Sequence, residues 1–471
     1  MNTNPSETPF RVKRPPAGLA LVAALGPGLM WCGEYIGSGE VILAPRTGAI
    51  LGLAVLWVPF IGIVSKFFIG LAGARYTVCT GEAMIDMLAR TPGPRNWVLW
   101  PVFIGQLASS AISTGAIASA AGVFAAYFLP VDSYYLGWAV TLLVFALVWT
   151  GKFDPLKMVM SVLVGFIILG VFDVALSTWP GWRPLLSGLF GFQIPEVPEW
   201  ARGEALEKGS PWKEILPLLG WAAGGFASQV WYTYWVLGAG YGMAEGRSYG
   251  EPADEARLAS LSREEAQDLR GWCRVVACDA TLGMSVGLSI TIAFAMAGAG
   301  VLGPAQVAPE GPEVATQLSQ LFGERWGAWG ANLYVLAALA AFVSTLIGQF
   351  AGWPRLLADC SRILLPPVAR LPWKFQFRGF LLLFALSNMI LVFALGKEPV
   401  FLVQLGAVLD GLLLTPLQAV CVGWVLYKIF PRLLSPEARE ILRPSPIYAL
   451  GLAVAFVVFG YFCIFRLVDL L

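Results

Sequence analysis

The chain has 471 residues, of which 57% are hydrophobic and only 13% charged; a soluble protein carries roughly 25% charged residues, so the composition excludes a soluble globular surface of this size and indicates a polytopic membrane protein. The 31 basic residues are matched by 30 acidic ones, which leaves no basic surplus for a nucleic-acid backbone. There is no histidine, so the commonest general base and metal ligand is absent, and proton chemistry falls to carboxylates or to a shifted Lys, Tyr or Cys.

A spanning helix takes about 20 mostly apolar residues. Eleven stretches qualify, at 17–46, 48–73, 97–129, 134–150, 156–178, 213–243, 272–301, 327–352, 376–396, 398–428 and 446–469. Polar stretches of some length fall at 179–212, 244–271, 302–326 and 353–375. That at 244–271 reads as a solvated amphipathic linker helix. The start, Arg11–Arg14 followed by an apolar run, reads as a cytoplasmic tail (1–16) entering the first span rather than as a signal peptide, because the run continues past Pro27 without a small-residue cleavage site. With the N-terminus cytoplasmic, 22 of the 31 basic residues fall on the cytoplasmic side and 8 outside, Lys66 lying within the second span. This asymmetry predicts an N-in, C-out, multi-pass protein of a bacterial inner membrane. None of the seven cysteines lies in an outer loop, so no disulfide framework is expected.

Two of the spans carry signals of interruption. Gly37-Ser38-Gly39 sits far inside the first, and Gly224-Gly225-Phe226-Ala227-Ser228-Gln229 inside the sixth. Non-helical backbone at membrane depth is tolerated where it is buried in protein or lines a cavity. Glycine in such helices also serves close packing, but broken helices at corresponding positions of two halves point to a transporter's midplane site. The halves are expected at about 17–178 and 213–428, with 446–469 as an added helix.

Intramembrane acids sharpen this expectation, because a buried carboxylate is costly unless paired, wetted or bound to cargo. Glu34 lies one turn before the first break and Glu40 follows it; Glu40 is placed first, at the start of a half-helix that favours an anion. Against this, Glu40 reads equally as a helix cap, and Glu34 as a partner of Lys66 or Arg46. Asp410 is deep in its span. Asp279 reads as a partner for an arginine, and Asp173 as a wet residue near a helix end. The aromatic run Trp231-Tyr232-Thr233-Tyr234-Trp235 reads as packing or an interfacial belt, or as a wall for an organic ammonium.

Leu25-Gly26-Pro27-Gly28, Tyr35, Gly39, Gly48-Ala49, Gly52 and Leu56-Trp57 resemble the first two spans of the Nramp divalent-metal transporters, as do Arg75-Tyr76-Thr77 to Thr80-Gly81-Glu82, and Ser344-Thr345 with Gly348-Gln349 in span eight. The resemblance implies an all-α LeuT-type fold of two inverted five-helix repeats plus one helix, with the first and sixth spans broken, working by alternating access. The family's usual ligands are not retained. Its DPGN motif falls on Gly37-Ser38-Gly39-Glu40, its MPH motif on Ala227-Ser228-Gln229, its span-eight glutamine near Phe342, and its span-three acids on Ser109 and Ile112. Two family acids near the outer mouth fall on Ala44 and Arg46.

With the thioether and imidazole gone, Mn/Fe/Zn selectivity of the usual kind is not expected. The remaining donors are oxygens: Glu40, Gln229, Glu34, Ser38, Ser228 and freed carbonyls, a set suited to Mg²⁺. The expected substrate site is Gly37, Ser38, Gly39, Glu40, Gly224, Ala227, Ser228 and Gln229, with Glu40 and Gln229 as metal ligands and Glu34 and Asp410 as supporting carboxylates. Ile36-Gly37-Ser38-Gly39 is also similar to the break of amino-acid/polyamine/organocation transporters, which keeps a small organic or zwitterionic substrate open; a non-transporting channel or sensor is the third alternative. No catalytic motif such as GxSxG or HExxH is present, so an enzyme is not expected. The lipid bilayer and a small solute are the expected partners, with no obligate protein partner and no cofactor; Mg²⁺ or Na⁺ enters only as substrate or coupling ion.

Overall fold

The computed structural model describes residues 12–150, 154–202 and 210–470. Arg11, Lys152 and Lys208, counted in the charge asymmetry, and most of the 1–16 tail lie outside the described residues. Among the described residues the chain is helical, with no strand. The helices are α1 (Leu19–Ala23), α2 (Pro27–Tyr35), α3 (Ala44–Leu51), α4 (Trp57–Thr80), α5 (Met84–Ala89), α6 (Leu99–Ala126), α7 (Ser133–Thr150), α8 (Asp154–Ser177), α9 (Trp182–Phe190), α10 (Trp212–Trp221), α11 (Phe226–Gly238), α12 (Glu255–Ala259), α13 (Arg263–Ala297), α14 (Val314–Leu364), α15 (Pro366–Ala369), α16 (Trp373–Leu395), α17 (Pro399–Gly411), α18 (Thr415–Trp424), α19 (Phe430–Leu433), α20 (Pro436–Ile441) and α21 (Pro446–Phe465).

Eight helical segments are long and apolar enough to cross a membrane unaided. The first span is a bent pair, Leu19–Glu34 with Gly39–Val55, turned by 51°. With the bent pair formed by α8 and α9, the described residues hold up to ten such crossings by length and composition. Several boundaries differ from the sequence reading. Residues 48–51 complete α3, a 3₁₀ turn follows at Gly52–Val55, and the second span begins at Trp57. Gly52 marks this corner with φ of 65°, a left-handed value open to glycine. The apolar run 398–428 is interrupted between α17 and α18, a break that its uniform hydrophobicity concealed. The 244–271 stretch is not a separate linker helix: its second half is the first turns of α13. There Ser262 accepts from the Glu265 N–H and Glu265 accepts from that of Ser262, a reciprocal cap at a helix start. The polar stretch 179–212 contains α9, turned 114° from α8, with Gly188 pressed against the Leu53 carbonyl.

Packing explains why α6 lies at the centre. It touches α7, α14, α16 and α17, and most of its buried positions from 109 to 122 are small: Ser109, Ser110, Ser113, Gly115, Ala116, Ala118, Ser119, Ala120, Ala121 and Gly122. Small residues let helix backbones approach where lipid offers no hydrophobic drive. At the periphery, α16 and α21 turn Leu382, Leu386, Ile390 and Phe393, and Leu450, Val454, Val457 and Ile464, outward. That apolar exterior suits a hydrocarbon solvent. The broken helices α2/α3 and α10/α11 lie within the bundle, packed on one another and on α4, α13, α14 and α17.

Candidate functional site

The first break falls one residue earlier than the glycine motif suggests. Helix α2 ends at Tyr35, Ile36 leaves helical geometry with ψ of 81°, and the chain resumes through a π turn, Gly39–Leu43. Glycine is required here by close approach. A Cβ on Gly37 would lie 2.5 Å from Thr345 Oγ1, and one on Gly39 would fall inside the Trp221 indole. The position that carries aspartate in the resembled family thus has no room for a carboxylate. Glu40 bridges the break: one carboxylate oxygen accepts from the Gly37 N–H at 3.4 Å, the other from Thr291 Oγ1 on α13 at 3.2 Å. Pro45 has no N–H to give the Val41 carbonyl four residues back; the Tyr334 hydroxyl donates to it instead, at 2.9 Å.

The sixth-span break spans Ala222 to Gly225. Ala223 and Gly224 take φ of 58° and 70°, and Ala223 stands in a region that L side chains rarely adopt. Gly224 lies in this break; Ala227, Ser228 and Gln229, expected there, form the first turn of α11. Each half-helix end meets a charge of the complementary sign. At the end of α10, the buried Lys66 ammonium on α4 donates to the carbonyls of Gly220, Gly224 (2.7 Å) and Leu219 (3.5 Å). At the start of α11, Asp410 accepts from the Ala227 N–H at 3.3 Å and from Gln106 Nε2 at 2.9 Å. Gln106 in turn accepts from Trp353 Nε1 at 2.8 Å. Gln229 turns its amide N–H back on the Ala223 and Gly225 carbonyls, at 2.9 and 3.2 Å.

Between the breaks, Glu34 accepts a hydrogen bond from the Ser228 hydroxyl, linking the two broken spans, and its stem lies beside Gly348 of α14. Thr345 and Gln349, spaced one turn apart on α14, are fully buried. Among the described residues, Ser38 Oγ, Thr345 Oγ1, Gln229 Oε1 and both amide atoms of Gln349 have no hydrogen-bond partner. Buried polar atoms are rarely left so. This unpartnered oxygen-rich set, with Glu34, is what the site offers chemically: hard donors and one carboxylate. Among the described residues no three Asp, Glu or Cys side chains converge as ligands.

Other expectations are corrected. Neither proposed partner of Glu34 serves it: Lys66 is held by carbonyls, and Arg46 pairs with Glu214 at 3.0 Å and Glu310 at 3.7 Å. Asp279 pairs with no arginine; it accepts from the Gly28 N–H at 2.6 Å and the Tyr232 hydroxyl at 3.1 Å, capping α2. Asp173 is solvent-accessible near the end of α8, as expected, and pairs with Arg325 at 2.8 Å. The Trp231–Tyr234 aromatics form no interfacial belt: Trp231, Tyr232 and Tyr234 are buried, Trp231 edge-on to Trp353 and Tyr232 stacked on Trp31. Phe342, near the family's span-eight glutamine position, packs on Phe124. Sequence reasoning named Lys66 only as a partner for Glu34, and Thr345 and Gln349 only for the family resemblance, and it overlooked Trp221 and Gln106. An isolated lysine in an apolar span was the signal available for Lys66.

Comparison with known proteins agrees with this geometry. Residues 28–203 match the family model for natural resistance-associated macrophage protein-like (Nramp) proteins. An uncharacterized protein of Pasteurella multocida is 24% identical over 110 residues, 23% of this chain and 25% of that protein; the match thus spans a quarter of that relative's length. Among solved structures, the Eremococcus coleocola manganese transporter, in complex with an aromatic bis-isothiourea substituted compound, is similar with a TM-score of 0.66 at 15% identity, over 98% of this chain and 90% of that one. MhsT in complex with L-phenylalanine is similar with a TM-score of 0.53 at 14% identity, over 94% of this chain and 99% of that one. The likeness to Nramp proteins thus covers residues 28–203, and over nearly its whole length the chain, an integral multi-pass membrane protein, shares the fold of these solved transporters.

Proposed function

We propose that this Nramp-related membrane protein is a secondary transporter of metal ions working by alternating access, and that its cargo is a hard divalent cation of the Mg²⁺ class. The observation that carries this reading is the set of buried, unpartnered oxygens on the two broken spans and α14, at Ser38, Gln229, Thr345 and Gln349, with the Glu34 carboxylate bonded to Ser228 between the spans. Mg²⁺ keeps several waters and uses one or two carboxylates, and hydroxyl and amide oxygens suit its hydrated shell. Mn, Fe and Zn selectivity in the usual sense calls for softer donors, and the positions of the family's aspartate, methionine and histidine hold Gly37, Ala227 and Gln229. Glu34 is the cargo carboxylate in this reading, because it reaches across to the other broken span. Glu40 holds the break through Gly37 and Thr291. The protein sits in a bacterial inner membrane with its N-terminus cytoplasmic, following the charge asymmetry.

A second reading is favoured by the aromatic surroundings. Trp31 stacks on Tyr232 at 4.3 Å, Trp221 covers Gly39, and the Trp31 and Trp221 N–H groups are unpartnered among the described residues. Such walls suit a small ammonium or zwitterion on the same fold. Uptake into proteoliposomes separates the two. Saturable Mg²⁺ entry, insensitive to amino acids and poorly inhibited by Cd²⁺, supports the first; entry of an amino acid or amine without Mg²⁺ entry overturns it in favour of the second.

A further inference from the structure

The last carbonyls of a helix have no helical donors and form the negative end of its dipole. In transporters with interrupted helices, such half-helix ends take monovalent cations. Here the end of α10 is met by a side chain from another helix. The Lys66 ammonium, fully buried, faces the carbonyls of Leu219, Gly220 and Gly224. An ammonium has three donors and no acceptor, so three carbonyls match it. The Phe459 ring lies 5.1 Å from Nζ, and across the break the Asp410 carboxylate sits on the Ala227 N–H at the start of α11. Burying a lysine in this medium is costly unless such compensation is present.

We infer that the end of α10 is a monovalent-cation site, built of the Leu219, Gly220 and Gly224 carbonyls with Asp410 as counter-charge, and that Lys66 fills it as a tethered cation. The protein therefore needs no free Na⁺ at this place to hold its broken sixth span. Removing the tether leaves an oxygen-lined cavity of the right charge for Na⁺ or a primary alkylammonium. The inference does not depend on what the central site carries.

The test compares melting temperatures of the purified full-length protein in choline, sodium and propylammonium chloride at equal ionic strength. Wild type is expected to melt alike in all three. Lys66→Ala should lose on the order of 5 °C in choline and recover at least half of that loss in sodium or propylammonium. Lys66→Met, which keeps the stem and leaves no room, should lose stability and recover none of it. A lysine acting only as a structural staple does not respond to a free ion, so an alanine variant equally unstable in all three salts overturns the inference, as does a wild type stabilised by Na⁺ to the same degree as the variant. Should Lys66→Ala not survive purification, Lys66→Ser, which also vacates the site, carries the same comparison: a rise in its melting temperature with Na⁺ supports the tethered-cation reading, and no response overturns it.

Discussion

At the sixth span, the carbonyls ending α10 meet the Lys66 ammonium, the Ala227 N–H meets Asp410, and the Gln229 amide folds back on the break itself. At the first span, Glu40 closes the Gly37 N–H, yet Ser38, Thr345 and Gln349 remain without partners among the described residues. At the sixth break Gln229 Oε1 and the Trp221 N–H are also unpartnered among the described residues, but there the dipole ends are matched by fixed charges, and in this the two breaks differ. A break whose dipole ends are matched by fixed charges is a rigid frame. A break that leaves buried oxygens unpartnered is where a ligand gains by arriving, since a buried unsatisfied group carries a cost of about 1–3 kcal/mol that a ligand relieves.

That contrast is easiest to break at Asp410. Asp410→Ala strips the Ala227 N–H and Gln106 of their acceptor and leaves the Lys66 charge without its counter-charge. Each buried donor left unpaired costs about 1–3 kcal/mol, so the variant is expected to lose most of its folded yield on gel filtration; a normal melting temperature would show that the sixth break does not rest on charge. Gly37→Asp, which restores the family's acidic residue, is next. It drives a carboxylate into Thr345 and should cost about 1–3 kcal/mol by overpacking, with Thr345→Ala in the same chain recovering part of the loss. If the single variant melts like wild type, Gly37 is not held by close approach.

Glu34→Gln keeps the shape and can still bond to Ser228, so its melting temperature should move little. Its uptake should fall at least about tenfold, equal to about 1.4 kcal/mol, and retained uptake would shift the cargo carboxylate to Glu40. Smallest in stability is Thr345→Val. The hydroxyl it removes has no partner to lose, so thermal melting should change by less than about 0.5 kcal/mol, while cation affinity falls. A marked destabilisation would mean that Thr345 is bonded in the folded protein.

The sequence carried the spans because lipid demands long apolar runs, and it carried the two breaks because glycine clusters stand at corresponding positions of two spans. It missed the interruption between α17 and α18, where Leu412-Leu413-Leu414 is as apolar as the helices it separates. The acids were found and their partners were not. Glu34 pairs with a residue 194 positions away and Asp279 with one 251 positions away, and no local pattern encodes such a distance. Thr345 and Gln349 carried part of the family resemblance but no assigned role; only the approach of Gly37 and Glu34 to α14 makes them part of the site.

The claim that the first break holds a hard cation is tested most directly by calorimetric titration of the purified protein with Mg²⁺ and, separately, with Cd²⁺, repeated on Glu34→Gln. The account predicts that Mg²⁺ binds the wild type, that Cd²⁺ binds no more tightly than Mg²⁺, and that Glu34→Gln weakens Mg²⁺ at least about tenfold. Tighter binding of Cd²⁺ than of Mg²⁺, or Mg²⁺ binding untouched by Glu34→Gln, would contradict it.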